Sequence, residues 1–285
     1  MKAPIITLTT DFGYRDYFVG SMKGVILGIN PEARIVDISH EVDPQNVDAA
    51  AYLIKSSHHY FPAGTIHVVV VDPGVGSPRN PILVVGKRDF FVGPDNGVFS
   101  YIYSEIDSLR IIHITSKEYF FNPPEADTWR TGETHSGELG STFHGRDIFA
   151  SVAAWLSKGV DPAKLGEEIQ NPVRLPLAEP RPITSASGKR AMEGRVIYVD
   201  RFGNLISNIT RAHFEWLTPS AEEGNFQICL KGRTFEIKRF YAEGNRGEPF
   251  ALVNSCGHLE VFIYLGNAHK KLEVSIGDPI LLTID

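Results

Sequence analysis

Two cysteines in 285 residues, Cys229 and Cys256, are too few and too far apart for a CxxC redox or zinc motif, and they exclude a disulfide framework. Both read as reduced thiols. A basic excess is also missing: 28 Lys and Arg stand against 34 Asp and Glu, a net charge of −6, which argues against nucleic acid or an anionic membrane as the main partner. No apolar run approaches the ~18 residues of a membrane span, and Met1-Lys-Ala-Pro-Ile-Ile-Thr7 enters strand-like sequence at once, so the expectation is a cytoplasmic protein. Asp11-Phe-Gly13 looks like the kinase metal motif, yet no HRD-type loop or strand lysine accompanies it. The glycine-rich stretch after Asp72 lacks the Gly-Lys-Ser/Thr of a phosphate-binding loop. Repeats and low-complexity tracts are absent.

The chain does have the apolar content of an ordinary globular protein, 42%, and a length that suits two domains. Through its first half, strand-like and helix-like segments alternate. Ile5–Thr10, Ala33–Ser39, Thr65–Val71, Pro81–Gly86, a run from Phe90 and Arg110–Ile114 read as strands; Asp16–Gly28, Val47–His58, Val98–Tyr103 and Asp147–Lys158 read as helices. Alternation of this kind predicts an α/β domain with a largely parallel sheet over residues 1–178. The Pro-, Ser- and Gly-rich stretch from Glu179 predicts a linker over 179–192. Beyond it, short strands at Gly194–Asp200, Phe226–Leu230, Arg233–Lys238, Phe250–Asn254, Leu259–Tyr264 and Ile280–Thr283 predict a smaller antiparallel, barrel-like β domain over 193–285. The small, polar loop Thr131–Ser141 suits either a lid or a surface insertion.

Candidate functional residues lie where strands end. Thr65-Ile-His-Val-Val-Val-Val71 is a continuous apolar run that reads as a buried parallel strand, and it discharges straight into Asp72. In open α/β sheets the crevice beyond such ends binds ligands, and Gly74 and Gly76 leave room for backbone to approach a bound molecule. Arg79 follows in the same loop. Asp11, with Asp16 five residues on, occupies the first strand-to-helix turn, where a carboxylate either accepts ribose hydroxyls or caps the helix. His144 stands just before a helix, and Asp200-Arg-Phe-Gly-Asn204 forms a turn rich in hydrogen-bonding groups.

Six motifs in register, Thr10-Asp-Phe-Gly13, Asp72-Pro-Gly-Val-Gly-Ser-Pro-Arg79, Gly93-Pro-Asp-Asn-Gly97, Phe143-His-Gly-Arg-Asp147, Asp200-Arg-Phe-Gly-Asn204 and Asn254-Ser-Cys-Gly257, resemble one family over nearly the whole chain. It is the S-adenosyl-L-methionine (SAM) hydrolases, or SAM hydroxide adenosyltransferases, relatives of the fluorinase and chlorinase. The resemblance implies conversion of SAM and water to adenosine and L-methionine, a homotrimer with active sites between subunits, no metal and no cofactor. It places the Asp-Arg-His set of the hydrolases at Asp72, Arg79 and His144. The serine that binds halide in the fluorinase would align with Gly145, and the tyrosine of its halide pocket with Asp72, so halogenation is disfavoured. By the same resemblance Asp11 holds the ribose hydroxyls, Asn204 the adenine edge, and Asp16, Asp200 and Ser255 the amino-acid end. Backbone at Asn267–Ala268 would meet adenine, across a longer spacing from Ser255 than in the halogenases. Cys256 stands where the fluorinase has an arginine on the methionine carboxylate.

The implied chemistry is physically coherent. Hydroxide attacking a carbon bonded to a sulfonium annihilates opposite charges, which a water-poor pocket favours; aromatic residues and Val75 can supply one. Water ionises with a pKa of about 15.7, so without a metal side chains must make hydroxide accessible, with Arg79 stabilising it and Asp72 or His144 receiving the proton. Two rivals remain at this stage. One is a metal-dependent phosphohydrolase using Asp11, Asp72, Asp95 and His144, although no HxxxH or DxD pair supports it. The other is a SAM or nucleoside sensor that binds without turnover.

Overall fold

The computed structural model describes residues 3–121, 142–184, 188, 190–218 and 226–284. The chain divides into two compact units, Met1–Pro176 and Leu177–Asp285.

The first unit is built on a sheet of β1 (Ile5–Thr10), β2 (Arg34–Ser39), β3 (Ile66–Val70), β4 (Pro81–Val85), β5 (Phe90–Pro94), β6 (Arg110–Ile114) and β7 (Gly166–Ile169), in the order β2-β1-β3-β5-β4-β6-β7. The strands β2, β1, β3 and β5 run parallel to one another, and β4, β6 and β7 extend the sheet antiparallel. The helices α1 (Phe18–Ile29) and α2 (Val47–Ser57) connect the parallel strands; the Asn46 side chain opens α2 by accepting from the Ala49 N–H at 3.0 Å. Ile6, Leu8, Val68, Val70 and Val92 pack with Met22 and Ile26 of α1 into a core that is almost fully removed from water. From β1 the chain moves outward to β2, then returns to the other side of β1 as β3. The connections therefore diverge at the carboxyl ends of β1 and β3, the position where open α/β sheets bind ligands.

One expected helix differs. Instead of starting at Asp147, it begins as a π-helical segment, Gly145–Ala150, and continues as α4 (Ser151–Ser157), between α3 (Ser100–Glu105) and β7 in the chain. The wide turn coincides with a tertiary bond in which the Asp147 carbonyl accepts from the Phe121 N–H at 2.7 Å. The loop Thr131–Ser141, read as a lid or an insertion, lies outside the described residues.

The second unit is an antiparallel, nearly closed barrel of β8 (Arg181–Thr184), β9 (Arg190–Val199), β10 (Leu205–Thr210), β11 (Phe226–Leu230), β12 (Arg233–Glu236), β13 (Pro249–Val253), β14 (His258–Ile263) and β15 (Pro279–Ile284). Its order is β12-β11-β15-β9-β10-β14-β13, and a bridge between Ile237 and Ala251 joins the two ends. Val196, Leu205, Ile228, Leu259, Val261 and Leu282 fill its interior. Two short helices, α5 (Arg211–Leu217) and α6 (Ala268–Leu272), interrupt the strands. Part of the stretch read as a linker is strand: β8 pairs with β9, and Pro182 is accommodated because β8 lies at the edge of the pairing. Among the described residues no helix is long and apolar enough to cross a membrane.

Candidate active site

The loop leaving β3 folds back on itself through two tight turns, the Val75 N–H to the Asp72 carbonyl at 3.2 Å and the Ser77 N–H to the Gly74 carbonyl at 3.0 Å. Gly76 takes φ +79°, a left-handed conformation that glycine adopts without steric cost. This path returns Arg79 to Asp72. Arg79 Nε donates to Asp72 Oδ1 at 3.0 Å and Nη2 donates to Oδ2, a bidentate ion pair whose side chains are only 9% and 5% exposed. The guanidinium lies over the Phe149 ring, 5.5 Å from its centroid. Arg79 Nη2 also reaches His144 Nδ1 at 2.7 Å.

That last contact fixes a tautomer. A guanidinium has no acceptor, so Nδ1 of His144 must accept and the ring hydrogen must sit on Nε2. Burial first, and then the adjacent Arg79 charge, lower the His144 pKa below the usual imidazole value, which keeps the ring neutral. Among the described residues, buried Nη1 of Arg79 has no hydrogen-bond partner, so donor capacity remains in this corner of the site.

Asp11 follows β1 at the same carboxyl edge. Its Oδ2 accepts from the Gln45 N–H at 2.8 Å, and Gln45 holds φ +67°, a left-handed conformation that a non-glycine residue keeps only when its surroundings impose it. The turn around it is braced by His40, which follows β2: the Thr10 hydroxyl accepts from the Phe12 N–H and meets His40 Nδ1 at 2.8 Å, while the Gly13 N–H donates to the His40 carbonyl at 2.7 Å. Asp11, Gln45, Asp72 and His144 line a cleft of about 420 Å³ together with Val70, Val75 and the aromatic side chains of Phe12, Phe18 and Phe143. The three rings pack against one another with centroids 5.2 to 5.8 Å apart and form an apolar wall opposite the charged groups. Gly145 belongs to this wall; a Cβ there would stand 3.2 Å from the Phe143 ring and 3.4 Å from Phe12.

Asp11, Asp72, Arg79 and His144 therefore come together, whereas Asp16 lies exposed in the turn before α1, outside the residues lining the cleft. In the second unit Asp200 organises its own turn. Its carboxylate accepts from the Phe202 N–H at 2.9 Å, the Asn204 N–H at 2.8 Å and the Asn204 side-chain amide at 2.9 Å. Gly203 completes the turn at φ +83°, and a Cβ there would lie 2.2 Å from the Asn267 side chain, so the turn packs directly on the residue that caps α6 and precedes Ala268. Ser255 sits exposed on a separate turn, Asn254–Gly257, whose frame is the Asn254 side chain: Oδ1 accepts from the Cys256 and His258 N–H groups and Nδ2 donates to Glu260.

Sequence reasoning missed Gln45, Phe18 and Glu260. Glu260 is 3% exposed, accepts from the Tyr241 hydroxyl at 2.8 Å and from Asn254 at 3.0 Å, and is held above the ordinary carboxyl pKa by burial. A carboxylate inside the otherwise apolar run Leu259-Glu-Val-Phe-Ile263 is the signal that marks it. Nothing in composition announces the positive φ of Gln45.

Two of the three carboxylates proposed as ligands for a phosphohydrolase are committed elsewhere: Asp72 to Arg79, and buried Asp95 to the Val173 N–H at 2.8 Å. Among the described residues no group of three or more His, Cys, Asp or Glu has the geometry to hold a metal ion.

Residues 6–166 match the family model of the SAM hydroxide adenosyltransferase N-terminal domain, and residues 194–281 match that of the SAM hydroxide adenosyltransferase C-terminal domain. The chain is 35% identical to the (R)-S-adenosyl-L-methionine hydrolase of Methanocaldococcus jannaschii, covering 97% of this chain and 94% of that protein. It is 34% identical to the protein of the same name from Thermus thermophilus, covering 96% and 97%. A crystal structure of a conserved protein from Thermotoga maritima superposes with a TM-score of 0.83 at 32% identity, covering 98% of this chain and 99% of that one.

Proposed function

Because the chain belongs to the SAM hydroxide adenosyltransferase family through both of its domains, we infer that it is a SAM hydrolase that forms adenosine and methionine. The observation that carries the reading to individual residues is the linked set Asp72–Arg79–His144 at the carboxyl edge of the parallel strands. Water is held there against C5′ of the ribose, on the side opposite the sulfonium. The oxygen bonds to C5′ as the C5′–S bond breaks, and the electron pair of that bond returns to sulfur to give the thioether of methionine.

His144 and Asp72 then have different tasks. With Nδ1 facing Arg79 and hydrogen on Nε2, His144 has no free lone pair to offer, so it orients the nucleophile by donating from Nε2. Asp72 receives the proton that water loses and passes it to solvent. Arg79 stabilises the hydroxide character that develops as the proton departs, and the wall of Phe12, Phe18 and Phe143 keeps bulk water away. Asp11 accepts the ribose hydroxyls.

We assign Asp200 and Ser255 to the amino-acid end of SAM, with Asp16 beside them, and Asn204 and the Asn267–Ala268 backbone to adenine. In this reading a neighbouring copy of the chain in a homotrimer supplies the groups of the second unit. Exposed apolar side chains suit burial in such an assembly: Tyr17 at 68% and Val75 at 39% in the first unit, Phe202 at 74% and Leu265 at 71% in the second.

The test is direct. Purified protein incubated with SAM in halide-free buffer containing EDTA forms adenosine and methionine in equal amounts, and added chloride or fluoride yields no 5′-halo-5′-deoxyadenosine. Tight binding of SAM without turnover would make the protein a sensor; activity abolished by EDTA and restored by a divalent ion would overturn the mechanism.

A further inference from the structure

The motif Gly93-Pro-Asp-Asn-Gly97 has no part in the mechanism above, yet it grips both ends of the loop that carries Asp72 and Arg79. At the start of that loop, Asn96 Nδ2 donates to the Val71 carbonyl at 2.9 Å, one residue before Asp72. At its end, the Asp95 N–H donates to the Asn80 carbonyl at 2.8 Å, one residue after Arg79. The topology explains how one turn reaches both. In the sheet β5 lies between β3 and β4, so the loop joining β3 to β4 must cross the exit of β5, where this turn begins. Backbone pairing of β3 with β5 extends only to Val68 and Val92, and the Asn96 side chain takes over beyond it. Its orientation is dictated by its partners: Oδ1 accepts from the Val98 N–H at 3.2 Å, which leaves the amide hydrogens for Val71. Close approach is built in as well, since a Cβ on Gly93 would lie 2.5 Å from the Val69 carbonyl oxygen.

We propose that Asn96 is a positioning residue for hydrolysis, clamping the Asp72–Arg79 loop so that the bidentate pair and its contact with His144 stay aligned between turnovers. The proposal rests on the catalytic reading of Asp72, Arg79 and His144. Asn96→Asp is the discriminating variant: it keeps the acceptor for Val98 and turns the donor that faces the Val71 carbonyl into a second acceptor. Misalignment of reacting groups by about 1 Å costs up to ~10²-fold, so kcat is expected to fall about 10- to 100-fold while the Kd for adenosine, set by Asp11, stays within about twofold. Hydrogen exchange should quicken about tenfold over residues 72–80 and stay unchanged in β1 and α2. Asn96→Ser, too short to reach Val71, should show the same split. Wild-type kcat in Asn96→Asp, unchanged exchange over 72–80, or a loss of kcat matched by an equal loss of adenosine affinity would each overturn the clamp. Asp72→Asn is assayed alongside: wild-type turnover there sinks the catalytic reading, whereas the exchange measurement judges the clamp independently of the chemistry.

Discussion

The two units hold their polar groups in opposite ways. In the first, Arg79 binds Asp72 with two donors, and the pair is almost fully withdrawn from water. In the second, Asp200 spends its carboxylate on the N–H groups of its own turn, and Ser255 stands exposed on another. A buried ion pair carries a desolvation cost that packing alone would not select, because apolar residues of similar volume are often as stable or more so. Its presence fits a demand from chemistry. The turn of the second unit satisfies its polar groups within itself and holds no such buried ion pair.

The sharpest way to break this contrast is substitution within each set. Asp72→Asn, Arg79→Ala and His144→Ala should each lower kcat by about 10²-fold or more while SAM still binds, the scale expected of preorganised electrostatic and acid–base groups. Steady-state kinetics with calorimetric binding checks this. If Asn204→Ala depressed kcat as strongly with KM unchanged, the division of labour would be wrong. A second test joins the two halves: His144→Ala and Asn204→Ala subunits, each impaired alone, should regain activity when refolded together, because some sites in a cyclic assembly then receive one intact half from each. No recovery, with subunit exchange verified by mass spectrometry, would mean that every site is built from one chain.

Acid should also tell the units apart. His67 is fully buried beside Thr7, and burial lowers its pKa to about 4. An unfolded histidine titrates near 6.5, so between pH ~6.5 and ~4 the unfolded chain takes up a proton that the folded first unit refuses, and stability falls by up to about 3 kcal/mol. Glu260 in the barrel has the opposite sign. Its pKa is raised by burial, so its unfavourable contribution, present above the ordinary carboxyl range, fades as pH drops and the buried group becomes neutral. Hydrogen exchange at pH 7 and 4.5 should show protection lost first in β1 and β3, and His67→Asn should flatten that dependence. The same physics sets the acid limb of kcat. It should fall below the ordinary histidine range, where His144 gains a proton, because burial and Arg79 hold its pKa down. The smallest effect is expected at Ser255: its replacement by Ala should raise KM for SAM about fivefold, the worth of one hydrogen bond, with adenosine affinity unaltered.

Much of this was visible in the residues alone. Ile66–Val71 is apolar apart from His67 because both faces of β3 are covered, and a run of that kind ending in Asp72 points to the candidate site. The Asp72–Arg79 spacing was visible too, but its meaning, an arginine folded back onto the aspartate through Gly76, belongs to the turn geometry. What escaped was short or ambiguous. β7 carries exposed Glu167 and Glu168 and shows no apolar period. Arg211–Leu217 is seven residues long and is started by the reciprocal bonds of Thr210 and His213, a cap outside the usual Ser/Thr–Glu pattern. β10 disappears into the turn signals of Gly203 and Asn204 before it. The bracing of Asp11 by Gln45 rests on one backbone angle, which no side chain encodes.

Asp72 is neutralised by Arg79, so the uncompensated anion facing the cleft is Asp11, which has no cationic partner among the described residues. The substrate arrives as a sulfonium cation and departs as a neutral nucleoside and a zwitterionic amino acid. A field that draws in the first has no net charge to grip in the second, so the long-range attraction that speeds capture adds nothing to product retention, which is left to the hydrogen bonds between Asp11 and the ribose hydroxyls. Added salt should therefore depress kcat/KM by screening the approach while leaving kcat almost untouched. In that sense the reaction discharges its own tether.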